Sequence, residues 1–299
     1  MSKLILIDGN AILHRAYHAM PPLTTKKGEP IGAVHGFVSM LLRVIQDLKP
    51  THLVVAFDRK EPTFRHKEYK PYQAHRPETD KDLVLQFDKV KDVIKAFGIP
   101  IYDKAGFEAD DVIGTLAKQG EKKLEEIVIV TGDKDILQLV SDKTKVYLPI
   151  RGLSESKLMG EEEVVEKIGV KPSQIDDYKA LVGDPSDNYP GVPGVGPKTA
   201  TKLLSEYETV KDVYKNLKNI PAPVAKKLEE GKKSAIVCQM LAEIITNVPV
   251  RLDIKDADDW GVDRKEVLDL FAEFGFKTLS KRVKDVGKKI IEESQLTLV

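Results

Sequence analysis

Cysteine is nearly absent from this chain: Cys238 stands alone among 299 residues. No internal disulfide can form, and a reducing, cytoplasmic setting is the expectation. Long apolar runs are absent too. The stretches at 4–7, 53–57 and 127–130 are far too short to cross a bilayer, so no membrane role is expected. The first residues lack the charged-then-apolar layout of a secretion signal, because Asp8 follows after only four apolar residues. The six histidines show no pairing that would suggest a general base, and the lack of Cys or His partners for the acids argues against zinc. There is no low-complexity tract and no repeat. Net charge is missing as well, since 47 basic residues balance 47 acidic ones. An even spread of that charge would argue against a polyanionic partner, but the charges are clustered and must be read segment by segment.

What remains is an ordinary globular composition, 41% hydrophobic and 31% charged, in a chain long enough for one large domain or two modest ones. Three apolar runs each end in an acid: KLILIDGN at Asp8, HLVVAFDRK at Asp58, and EEIVIVTGDKD at Asp133 and Asp135. Such runs suit strands buried on both faces of a parallel sheet. Residues 33–48 and 83–98 repeat apolar positions at helical spacing and stop at Pro50 and Gly98. Strands alternating with helices predict a mostly parallel α/β core over 1–160, with KVYLPI at 145–150 closing one edge. From 161 to 290 the chain reads as a mainly helical subdomain with an amphipathic segment at 263–293, and 291–299 reads as a tail. Ligands of open α/β sheets sit at the carboxyl ends of the strands, so Asp8, Asp58, Asp133 and Asp135 are expected on one edge.

Further acids join them. GFEADDVIGTLA places Glu108, Asp110 and Asp111 at a helix start, and GDPSDNYPG places Asp184 and Asp187 three residues apart around a turn. Alone, acids at a helix start favour the macrodipole by roughly 0.3–1 kcal/mol each. A strand-end Asp alone is commonly a turn residue or helix cap. Nine together are different, because two like charges about 4 Å apart repel by roughly 4 kcal/mol at an effective dielectric near 20. Either several carry protons or divalent cations sit between them. All-oxygen ligation suits Mg²⁺ or Mn²⁺, with some acids acting through water. Two such ions side by side serve phosphoryl transfer, and a phosphodiester is the natural substrate.

Directly after Asp58, residues 59–76 hold Arg59, Lys60, Arg65, Lys67, Lys70 and Arg76 against two Glu, with Phe64, Tyr69 and Tyr72 interleaved. A solvated charged loop has this composition, and so does a single-strand binding element, in which charge meets phosphate and rings meet bases. Beside the acids, the second reading is preferred. In GVPGVGPKTATKLL, Gly191, Gly194 and Gly196 precede a helix beginning at Lys198. Backbone N–H groups there form a phosphate cradle, similar to a helix-hairpin-helix grip on duplex.

These motifs, with LILIDGNAILHRAYHA, VVAFDRKEPTFRHKEY and VTGDKDILQLV, resemble the 5′-nuclease domain of bacterial DNA polymerase I, of the flap endonuclease superfamily, over about residues 1 to 285. The resemblance implies a PIN-like core, a helical arch at about 59–82 and a helix-three-turn-helix motif. It implies Asp8, Asp58, Glu108 and Asp110 around a first metal and Asp111, Asp133, Asp135, Asp184 and Asp187 around a second. It also places Arg15, Arg65, Arg76 and Lys134 near the scissile phosphate or flap. Lys67, Lys70, Tyr72 and Gln73 fall in the arch. Gly191, Gly194, Gly196, Lys198 and Thr199 fall in the duplex grip, which in the family can also hold K⁺. A monomer acting on DNA with a 5′ single-stranded flap or end is expected.

One departure stands out. The family's arch carries Lys in Y-K-x-x-R, whereas this chain has YQAHR with Gln73. Lys70, one turn earlier if the arch is helical, is the expected substitute for that catalytic charge, and Gln73→Lys is expected to raise the single-turnover cleavage rate. The end of the chain, QLTLV, resembles a sliding-clamp peptide through Gln295, Leu296 and Leu298, although a plain tail or linker reads the same way. Two other functions compete: a single-strand ribonuclease of PIN type, which the duplex grip disfavours, and a silent DNA-binding module, which the full acid set disfavours.

Overall fold

Alternate residues of β1 (Lys3–Asp8) face opposite ways, Leu4 and Leu6 into one core and Ile5 and Ile7 into the other. That period of two on a fully apolar strand puts the sheet between two helical layers. The computed structural model describes residues 2–151 and 155–296. In chain order the first layer-forming elements are α1 (Gly9–Ala19), α2 (Gly32–Leu48), β2 (His52–Ala56), α3 (Phe64–Glu68), α4 (Lys81–Ala96), β3 (Ile101–Tyr102) and α5 (Ala109–Gly120). Then come β4 (Glu126–Val130), β5 (Thr144–Arg151) and β6 (Glu155–Met159). The sheet order is β3-β2-β1-β4-β5-β6, parallel throughout except for the last pair. The edge expected at 145–150 is therefore covered by β6, whose Glu, Ser and Lys residues gave no apolar signal.

The helices of the second half are α6 (Glu161–Ile168), α7 (Ile175–Val182), α8 (Pro197–Tyr207), α9 (Val210–Lys215), α10 (Ala222–Ala242), α11 (Ile254–Asp258), α12 (Lys265–Phe274) and α13 (Lys277–Leu296). They do not form one subdomain over 161–290. Helices α6 to α10 build on the face covered by α5, through Val164, Leu181, Leu204, Val213 and Leu228. The amphipathic segment splits at Gly275, whose φ of 77° ends α12, and its two helices return to the opposite face. There Val267, Phe271, Phe276 and Val283 pack with α2 and α4. Burying each such side chain contributes about 1.5–3 kcal/mol, so this return ties α12 and α13 to the α/β core. Gln295 and Leu296 fall in the last turn of α13, and Leu298 lies outside the described residues. Among the described residues no helix is long and apolar enough to cross a membrane.

Candidate active site

Because β1, β2 and β4 run in parallel, their carboxyl ends lie on one edge, and the acids that follow them meet there. Asp8 caps α1, accepting from Ala11 N–H at 2.9 Å and from the Thr131 hydroxyl at 2.7 Å. Asp58 accepts from Ala109 N–H at 2.7 Å, which fixes it against the start of α5, while its own N–H donates to Asn10 at 3.0 Å. Thr131 also receives the Asp133 N–H at 3.0 Å, and Asp133 receives that of Asp135 at 2.8 Å. Asp184 and Asp187 arrive from the loop after α7. One oxygen each of Asp135, Asp184 and Asp187 lies within 4.8 Å of the other two.

Asp110 and Asp111 part company. Neighbours on a helix point roughly 100° apart, so they cannot both face the pocket. Asp110 faces the acids. Asp111, 0% exposed, points inward and accepts four hydrogen bonds: two from Arg65 at 2.7 and 2.8 Å, and one each from Glu108 N–H (3.1 Å) and Ile245 N–H (2.9 Å). These four bonds fill its lone pairs and set it apart from the acids that face the pocket.

Arg65 changes role with it. Rather than reaching for a flap, its guanidinium is 2% exposed and also donates to the carbonyls of Leu241 at 2.9 Å and Glu243 at 2.6 Å. The segment expected to be a helical arch contains only the short α3, then turns from Tyr69 to Arg76. Pro62, Pro71 and Pro77 interrupt it, each removing an N–H donor and disfavouring helix at the preceding residue. Gln73 has φ of 55°, and its N–H donates to the Asp187 carbonyl at 3.0 Å. Lys70 and Gln73 therefore share no helical face, and the substitution argument for Lys70 falls. Tyr72 is buried, not offered to bases. Its hydroxyl lies 3.2 Å from both Glu108 and Asp187. Arg76, 52% exposed, binds Asp187 at 2.6 Å. Lys67 and Lys70 remain exposed.

Burial raises the Asp8 carboxyl to about 7 against the Ala11 N–H bond, and Asp58 and Asp133 add to it. Glu108 is raised to about 7 by burial, opposed by Arg65 and aided by Asp111, Asp58 and Asp187. Burial, then Asp133, Asp8, Asp58 and Glu108, hold Asp110 well above the carboxylate range. Asp58 is raised by burial against its Ala109 bond. Burial and Asp133 bring Asp135 to about 6, against the pull of Lys179. Asp184 goes the other way: burial would raise it, but bonds from Lys179 and Ser186 outweigh that. These shifts tie acids from separate segments into one electrostatic group, the crowding that a divalent cation relieves.

Lys179 escaped the sequence reading. From α7 it spans Asp135 and Asp184, the latter at 2.5 Å. A lone Lys among apolar residues, five positions before Asp184, was the available signal. Thr131 and Asn10 were missed for lack of any. Around this group two open cavities hold candidate binding residues. One of about 570 Å³ is lined by Arg15, His18 and Asp133, and one of about 360 Å³ by Lys134, Asp135, Lys179 and Asp184. The glycine turn is tied to the end of α7, just before the acid loop, by the Val192 N–H, which donates to the Leu181 carbonyl at 2.8 Å. Gly191 and Gly194 have φ of 65° and 78°, which only glycine adopts cheaply, and Gly196 starts α8 with Lys198 exposed and Thr199 half-buried beside it. Two carbonyls of the turn already accept bonds, Gly191 from the Ser234 hydroxyl and Gly194 from Lys227.

Strand-end acids gathered beside a basic segment and a glycine turn form an all-oxygen donor set of the kind that holds divalent cations. Comparison narrows the class. Residues 3–169 match the 5′–3′ exonuclease N-terminal resolvase-like domain and 170–265 the 5′–3′ exonuclease C-terminal SAM fold, and the chain belongs to the 5′–3′ exonuclease family. It is 39% identical over 295 residues to DNA polymerase I of Bacillus subtilis (strain 168), covering 98% of this chain and 34% of that protein. To DNA polymerase I of Mycobacterium tuberculosis (strain H37Rv) it is 40% identical over 286 residues, covering 94% and 31%. The chain thus spans about a third of the length of these relatives. T5 5′-exonuclease with bound divalent zinc shares the fold at a TM-score of 0.68 and 21% identity, covering 95% of this chain and 98% of that one. The catalytic core of Rad2 in complex with DNA substrate does so at 0.62 and 15%, covering 97% and 92%.

Proposed function

We propose that this chain hydrolyses phosphodiester bonds of DNA at 5′ flaps and 5′ ends beside duplex junctions, in replication and repair, with two Mg²⁺ or Mn²⁺ ions bound. The gathering of acids from five separate segments on one sheet edge carries the reading. The donor set fits such ions: it is all oxygen, and Asp135, Asp184 and Asp187 converge within 4.8 Å. Asp8, Asp58, Glu108 and Asp110 would hold one ion, and Asp133, Asp135, Asp184 and Asp187 the other. When bound, such a pair activates a water and stabilises the leaving oxygen.

The chain's own groups do the rest. Asp8 and Asp58 are pinned by backbone N–H groups, so their geometry is set before substrate arrives. Arg76 is exposed enough to exchange Asp187 for a phosphate oxygen. Arg15 and Lys134 line the cavities into which a strand would pass. The turn at Gly191–Gly196 and the start of α8 would grip the duplex through backbone N–H groups, holding the junction at a fixed distance from the acids. K⁺ at the same turn, a monomeric state, a cytoplasmic setting and clamp docking through Gln295, Leu296 and Leu298 belong to the same proposal. Native mass tests the monomer, and unchanged clamp retention after deletion of 295–299 would refute the docking.

A labelled 5′-flap substrate with and without Mg²⁺ tests the main reading. Metal-dependent cleavage near the junction is expected, and Asp58→Ala should abolish it while sparing duplex binding. Cleavage of single-stranded RNA alone, or binding without cleavage, would overturn it.

A further inference from the structure

The loop from Asp184 to Tyr189 closes on itself. Asp184 N–H donates to the Tyr189 carbonyl at 2.9 Å, and Tyr189 N–H returns a bond to Asp184 at 3.1 Å. This pairing turns the Tyr189 side chain inward, where it packs with Tyr72, Cys238 and Leu241 and is 3% exposed. Its hydroxyl finds no hydrogen-bond partner among the described residues. A buried phenol without a partner is uncommon and calls for an explanation, such as a water or an ion.

The surroundings supply one. The carboxylates of Asp135, Asp184 and Asp187 all act on the hydroxyl electrostatically, and burial followed by these charges keeps it neutral. Those are the three acids whose oxygens converge. Tyr72, the other buried phenol of the cluster, meets two carboxylates at 3.2 Å. Tyr189 meets none, although Lys179 holds Asp135 and Asp184, Ser186 also bonds Asp184, and Arg76 and Tyr72 bond Asp187 close by.

Mg²⁺ and Mn²⁺ bound by a few carboxylates keep part of their water. Such a water donates strongly, because its lone pair is committed to the ion. We propose that Tyr189 is a positioning residue whose phenol oxygen accepts a hydrogen bond from the hydration water of the ion held by Asp135, Asp184 and Asp187. The inference rests on the two-ion reading above and adds to it a residue that fixes the ion's hydration shell. A residue serving only to fill space would be better as Phe, since burying an unbonded hydroxyl is unfavourable.

Tyr189→Phe tests this through metal binding rather than turnover. Mn²⁺ uptake is followed by electron paramagnetic resonance, and thermal melting is recorded in EDTA and in saturating Mn²⁺. The variant should melt in EDTA at or above the wild-type temperature, because the deleted hydroxyl has no protein partner. Affinity for one of the two ions should fall about tenfold, the usual effect of losing an outer-shell bond, and the Mn²⁺-induced rise in Tm should shrink. Tyr72→Phe serves as the contrast, with a lower Tm already in EDTA. Wild-type affinity for both ions in Tyr189→Phe, or a lower Tm in EDTA, would overturn the inference alone. A wild-type protein that took up no Mn²⁺ would overturn the two-ion reading with it.

Discussion

Arg65 separates two accounts of the basic segment. If it serves the flap, Arg65→Met weakens cleavage and leaves the fold alone. The structure requires the reverse order of effects. Met keeps much of the apolar stem but strands the Asp111 carboxylate, which is 0% exposed, along with the carbonyls of Leu241 and Glu243. Breaking a buried pair by removing one partner costs about 3–5 kcal/mol, chiefly through the charge left behind. Against a total stability of about 5–15 kcal/mol that is a large fraction. Urea unfolding in EDTA, read by circular dichroism, measures it as a drop in the midpoint at unchanged slope. Arg65→Met/Asp111→Asn then provides the internal check. The amide oxygen still accepts from backbone N–H groups while the stranded charge is gone, so the double variant should regain about half of the loss. An Arg65→Met protein within about 1 kcal/mol of wild type, yet defective in cleavage, would refute the structural role.

The remaining expectations concern pH, the glycine turn and the duplex. In EDTA, Asp8 and Glu108 titrate at about 7 and Asp135 at about 6, all above their ordinary values because of burial. Protonated carboxyls favour the fold, so their contribution is complete below about pH 4 and is lost as pH rises through 6 to 7. The metal-free Tm should fall between about pH 5 and pH 8, and saturating Mn²⁺ should flatten or reverse the slope; a metal-free Tm that rose over that window would contradict the burial argument. Gly191→Ala places a Cβ 2.3 Å from the Gly183 nitrogen at φ +65°, so a loss of about 2 kcal/mol or more is expected on unfolding, with weaker Mn²⁺ uptake because the Asp184–Asp187 loop must shift. Lys198→Ala should weaken duplex binding equally for all sequences and reduce the salt slope by about 1, whereas a sequence-dependent loss would place Lys198 on base edges.

Which parts of the site the sequence made legible follows from what each signal measures. Asp8, Asp58 and Asp133 stand out because a buried parallel strand must be apolar until its last residue, so the acid marks the strand end and the strand end marks the edge. Nothing comparable marks β3, only two residues long, or β6, polar along an outer edge. Helical periodicity identified 263–293 as amphipathic but says nothing about which surface receives the apolar stripe, hence the misplacement of α12 and α13. A run of basic residues reports charge alone. It cannot reveal that Arg65 turns inward while Arg76 stays exposed, since that depends on Asp111 approaching from α5, 46 residues away in sequence. The three adjacent acids of α5 show the same limit, for their spacing was visible and their division between pocket and core was not.

That division bears on how the site binds ions. Arg65, Arg76 and Lys179 all sit on its acids, and they differ in how readily they can leave. Arg65 is sealed by four strong bonds and leaves only with unfolding. Arg76 already stands half in solvent, so releasing Asp187 loses little more than a screened pair, of about 0–1 kcal/mol. Lys179 is the harder case, because its side chain is only 14% exposed and its charge is favoured by both Asp135 and Asp184 over the burial that opposes it. An ion entering among Asp135, Asp184 and Asp187 must outcompete that ammonium group or share the carboxylates with it. Affinity at this position is therefore a difference between two electrostatic attractions, which makes it weaker and more salt-sensitive than the bare acid count implies, while Asp8 and Asp58 are each held by a backbone N–H group rather than bridged by an ammonium group. The two positions should fill in that order as Mn²⁺ is added.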